Sequence, residues 1–102
     1  MSAITIDFEK TMRQAAQLDS CADKLRRMTA NEYARSMQTL ANAWKSDSAS
    51  AFFGKGELLH RNINNTANDL EVIANNLRRA ARRIYEAEKK AEEIAKQRAA
   101  KG

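Results

Sequence analysis

The sequence contains no proline and only three glycines in 102 residues. Residues that end helices are therefore nearly absent, which leaves room for long uninterrupted helices. Aromatic residues make up 6 % of the chain, too few for a typical β-sandwich or barrel. One cysteine, Cys21, excludes an intrachain disulfide and suggests a small packed residue. One histidine, His60, with no cysteine or second histidine at ligand spacing, excludes the usual zinc-site patterns. No stretch approaches the roughly 20 apolar residues of a membrane span. Residues 1–9 have neither the basic region nor the apolar run of a secretory signal peptide. These absences lead us to expect no membrane insertion and a cytoplasmic location before any export, which would use a route without a cleaved signal.

The residues that are abundant point the same way. Ala, Glu, Lys, Leu and Arg dominate, the composition of long helices and coiled coils. The length allows one domain, 1–102. Eighteen basic residues face 13 acidic ones, a formal charge of +5. That mild excess favours acidic partners weakly and is no evidence for nucleic acid by itself.

Periodicity predicts a first helix over about 8–44. Asp7 can cap it, and Phe8, Thr11, Ala15, Leu18, Ala22 and Leu25 recur three and four apart. After Leu25 the phase slips by one residue and resumes as Tyr33, Met37, Leu40 and Trp44. A single skip of this kind relaxes supercoiling without ending a helix. A turn follows at about 45–48, where Ser46, Asp47 and Ser48 are all good N-caps.

The second helix is expected over about 49–98. Phe52, Gly56, Leu59, Ile63, Thr66, Leu70, Ile73, Leu77, Ala80, Ile84, Ala87, Ala91 and Ile94 alternate four and three apart without a skip. One border of this stripe is Ala67, Ala74 and Ala81, which suits a helix touching more than one neighbour. The short turn makes the helices antiparallel, and Phe8 falls opposite Ile84. Everything from Tyr85 on then overhangs, as a frayed or disordered tail. Two helices cannot enclose a core, so the expected architecture is an all-α hairpin that dimerises into a four-helix bundle. The interface seam is taken as Leu18, Leu25, Met37, Leu40, Phe52, Leu59, Ile63, Leu70, Ile73, Leu77 and Ile84.

No catalytic constellation appears, and neither a catalytic residue, a metal ligand nor a cofactor is assigned. Gly54-Lys55-Gly56 lies inside the heptad run with no preceding strand, so it suits close helix packing rather than phosphate binding. Arg78, Arg79, Arg82 and Arg83 lack interleaved aromatics and a nucleic-acid motif. They suit a solvated face, with Arg82 and Glu86 at ion-pair spacing. A basic helical nucleic-acid-binding protein is retained only as an outlying alternative, with no nucleic acid assigned as partner.

The segment 37–52 resembles the centre of the WXG family, the early-secreted-antigen-like proteins. Leu40 stands four residues before Trp44, Ser46 follows after one residue, and Ser48 leads to the Ala51-Phe52 pair. Ser46 occupies the position of the family's glycine. The resemblance implies a non-enzymatic protein secreted by a type VII system, working as a homodimer or with a related helical partner, and engaging the secretion machinery. It also implies an adaptor as the alternative, paired with the helical N-terminal domain of a larger secreted toxin. Trp44 and Ser46 would form the turn motif, and Tyr85 and Glu88 the candidate secretion signal. Four residues after Tyr85, where the family often has an acid, stands Lys89.

Overall fold

The computed structural model describes residues 3–101, so Met1, Ser2 and Gly102 lie outside the description. The fold is an all-α hairpin, with no strand among the described residues. Helix α1 (Ala3–Met28) passes through a π-helical turn (Thr29–Tyr33) into α2 (Ala34–Ala43). After three non-helical residues, α3 (Asp47–Lys101) runs for 55 residues.

Both ends of the hairpin exceed the limits expected from sequence. Helix α1 begins at Ala3, so Asp7 is inside it, exposed, and not a cap. The extra turn is supported by contact: Ile4 shares a recess with Phe8, Ala81, Ile84 and Tyr85. The tail is helical to Lys101 rather than frayed. Its alanines, glutamates and lysines are strong helix formers, and Glu92 pairs with Lys96 at 3.3 Å one turn on.

The slip after Leu25 has a direct structural counterpart. The π-helical turn spans Thr29–Tyr33, the interval in which the heptad phase shifts. A π turn winds one residue more than an α turn, so it takes up the surplus without turning the apolar face away.

The chain packs as two units. The first comprises the residues up to Leu18 and those from Val72 on. Ala15, Ala74 and Ala81 are buried there, and the Phe8 and Tyr85 rings lie 4.7 Å apart, centre to centre. Phe8 thus meets Tyr85, one residue beyond Ile84, and Tyr85 belongs to the packed hairpin rather than to an overhang.

The second unit is Asp19–Glu71. Ala22, Thr29, Ala49, Gly56 and Ala67 are buried in it. Polar bonds cross between its arms. The Arg26 guanidinium hydrogen-bonds and ion-pairs with Glu71, and donates to Asn68 Oδ1 at 2.6 Å. The hydrogen bond to Glu71 raises the Arg26 pKa above its ordinary value, against an opposing desolvation. Thr29 Oγ1 donates to the Arg26 carbonyl at 2.9 Å and lies 3.2 Å from Asn64 Oδ1. Tyr33 Oη donates to the Gly56 carbonyl at 2.8 Å. Among the described residues every buried apolar side chain is an alanine, and the largest fully buried side chain is Thr29.

Candidate functional site

The turn is built by its own side chains. Trp44 leaves the helix with φ −122° and ψ 105°, and its N–H still reaches the Leu40 carbonyl at 2.9 Å. Ser46 is the cap among the three candidates: its Oγ accepts from the Ala49 N–H at 3.2 Å, while its carbonyl accepts from Ser50 at 3.1 Å. No described residue has a positive φ, so a serine can replace the family's glycine here without strain.

The Trp44 ring lies 5.6 Å from that of Phe52 and 6.2 Å from that of Phe53. Phe52 and Phe53 are themselves 5.9 Å apart, which closes a three-ring cluster. Trp44 is 38 % exposed and Phe52 45 %, so the cluster tops the turn and presents one side to solvent.

Along α3 the heptad separates two kinds of surface. Ala67, Ala74 and Ala81 are buried within the chain. The large residues on the neighbouring positions are not. Ile63, Leu70 and Leu77 are half-buried, while Leu59 is 50 % exposed, Ile73 48 % and Ile84 58 %. On the first arm Leu18, Leu25 and Met37 are half-buried and Leu40 is exposed. In each unit the residues taken as an interface seam are thus left partly uncovered by their own chain, and they are called the band below. Covering a half-exposed leucine or isoleucine contributes on the order of 1 kcal/mol. A row of them is a sizeable unused stabilisation.

The two candidate signal residues differ in setting. Tyr85 is half-buried against Phe8, and the Lys89 ammonium sits 5.8 Å from its ring centroid. Glu88 is exposed at the edge of the recess that Ile4 and Phe8 line. The Arg82–Glu86 ion pair expected from spacing does not form. Arg79 instead donates to Asn76 Oδ1 at 3.1 Å. Cys21 is free and exposed rather than packed.

One feature escaped sequence reasoning. The Arg26–Glu71 pair joins residues distant in sequence, and nothing local marks it. Close helix packing, expected of Gly54-Lys55-Gly56, occurs at Gly56. A Cβ at Gly56 would clash with Met37 Cε and stand 2.8 Å from Tyr33 Oη, so the arms pack closely at that point. Gly54, by contrast, has open space around it.

Among the described residues no group of three His, Cys, Asp or Glu side chains could hold a metal ion. Nor, among the described residues, is any helix long and apolar enough to cross a membrane. The arrangement is a ring cluster at a turn and a set of partly uncovered aliphatic side chains.

A match to the family described as WXG100, proteins of 100 residues with WXG, covers residues 3–89. The chain belongs to the WXG100 family. Its members are small helical proteins of type VII secretion, associating with themselves or with a helical partner, and are not known as enzymes. No curated protein and no solved structure matches this WXG100 chain.

Proposed function

We propose that this WXG100 protein is a type VII secretion substrate that works as a non-catalytic dimer. A second copy, or a related helical partner, covers the leucine- and isoleucine-bearing band and completes a four-helix bundle. The observation that carries this reading is the exposure of Leu59, Ile73 and Ile84 beside a core made only of small residues. A chain with so little buried apolar surface gains much of its stability from a partner. Native mass measurement and light scattering at micromolar concentration test it. A dimer is expected, and a stable compact monomer that also ignores related helical proteins overturns it.

Export rests on the end of α3 in this reading. Tyr85 packs on Phe8, so it cannot be removed without cost to the fold. The test uses a truncation after Lys90 and, separately, Glu88→Ala, comparing culture supernatant with cell lysate. Loss of export with an unchanged melt places the signal in this segment.

A second reading has one specific observation in its favour. Lys89, not an acid, follows Tyr85 by four residues and lies over its ring. An adaptor whose partner carries the complete signal would tolerate that change. In this case the protein pairs with the helical N-terminal domain of a larger secreted toxin, and both export variants above leave secretion intact only when that partner is present.

A further inference from the structure

We propose that a recess beside the π-helical turn binds an arginine side chain of a second, different protein. The recess encloses about 410 Å³ and is lined by Tyr33, Met37, Gln38, Phe53, Glu57 and His60. That volume lies within the range of small-ligand and side-chain pockets.

The recess is produced by features of the chain that α-helical packing alone would not give. The π turn ends at Tyr33, and Tyr33 is anchored by its bond to the Gly56 carbonyl. Gly56 lets Met37 and Tyr33 approach α3. His60 meets the Tyr33 ring edge-on at 6.2 Å. π turns occur frequently at functional sites, and this one carries Tyr33 of the lining.

The lining specifies the chemistry of the occupant. Three aromatic rings and a thioether present electron-rich surface to a flat, apolar-stemmed group. Glu57 is the one carboxylate, no lysine or arginine lines the recess, and Glu57 forms no ion pair among the described residues. Gln38 Nε2 is turned to Asn42 Oδ1 at 3.4 Å, which leaves its oxygen to accept. A guanidinium satisfies all of these at once: it stacks on aromatic faces, donates in a plane to a carboxylate, and carries three methylenes.

The source is another protein rather than a second copy. The recess shares Met37 with the aliphatic band, but Tyr33, Gln38, Phe53, Glu57 and His60 lie outside it, and a head-to-tail contact of one copy on the next would extend into open chains. Glu57 and Leu59 stand on opposite sides of the Gly56–His60–Ala67 line of α3, so the carboxylate that selects the occupant faces away from Leu59.

Methyl-labelled methionine spectra of the full chain test it, with capped arginine amide as probe and capped norleucine amide as the uncharged control. A saturable shift of the Met37 methyl is expected, with Met12 and Met28 unmoved. The control should bind about fivefold more weakly. Glu57→Gln, at an exposed position, should lose a similar factor without altering the melt. A still Met37 methyl, equal binding of the control, or an unaffected Glu57→Gln variant overturns the proposal. Concentration-dependent growth of oligomers beyond the dimer that Glu57→Gln abolishes would overturn the choice of a different protein.

Discussion

The two sides of α3 bury different things. One side carries Ala67, Ala74 and Ala81 and disappears against the same chain. The neighbouring side carries Leu59, Ile73 and Ile84 and stays about half in water. The chain buries small side chains fully where its arms meet and covers many of its large ones only in part. Alanine permits close approach of the arms but contributes little transfer free energy. Leucine and isoleucine offer more apolar area, about half of which stays in water at Leu59, Ile73 and Ile84.

The following substitutions test that division, in order of expected effect. Leu59→Asp with Ile73→Asp places charges on the uncovered side only. Association should weaken by at least about a hundredfold, since each lost aliphatic contact contributes roughly 1.5–2 kcal/mol at the centre of an interface. Helicity of the separated chain should change little. Sedimentation and circular dichroism read the two quantities, and a dimer of undiminished affinity would mean that the partner sits elsewhere.

Ala74→Leu puts bulk on the covered side instead. Forcing extra methylenes between the arms should cost about 2–3 kcal/mol of stability, read as a drop in urea midpoint. If the variant is as stable as the parent, the arms are not held at alanine distance. Trp44→Ala removes the largest ring of the turn cluster. Full burial would make this cost about 3–5 kcal/mol, and the partial exposure of the ring brings the expectation to about 2 kcal/mol. Ser46→Ala removes only the cap of α3 and should cost about 1 kcal/mol, with Ser46→Gly closer to the parent. Thermal melts of the three side by side rank the turn against the seam.

The sequence disclosed much of this because its signals are periodic. Unbroken alternation from Phe52 to Ile94 locates α3, and the alanine border points to the covered side. The phase slip between Leu25 and Tyr33 is visible in the sequence as a relaxed stretch of one continuous helix, and the structure resolves it as a π turn. Where signals are local and degenerate, the sequence is silent. Ser46, Asp47 and Ser48 are equally good caps by composition, and only the direction of the entering backbone selects Ser46. Asp7 looks like a cap until Ile4 is seen beside Ile84 and Tyr85, a contact more than seventy residues away in the chain. The end of α3 looks frayed if only the apolar seam is counted, because helix propensity acts without a seam. The recess at Tyr33 needs a ring, a glycine and a π turn from separate stretches, and no single motif announces it.

The π-helical turn has a consequence for how such a chain can change its length. An α-helix that gains one residue rotates everything beyond it by about 100° and carries its buried face into water. Here the surplus is held in one place, between Thr29 and Tyr33, and the flanking faces keep their alignment. Loss of a single residue from within that interval is expected to convert the turn to regular α-helix, with Leu25 and Met37 left on the same side. The same loss ten residues earlier would scramble the arm. The turn is thus a point where this chain tolerates a one-residue deletion, and the position at which relatives differing by one residue would show their gap.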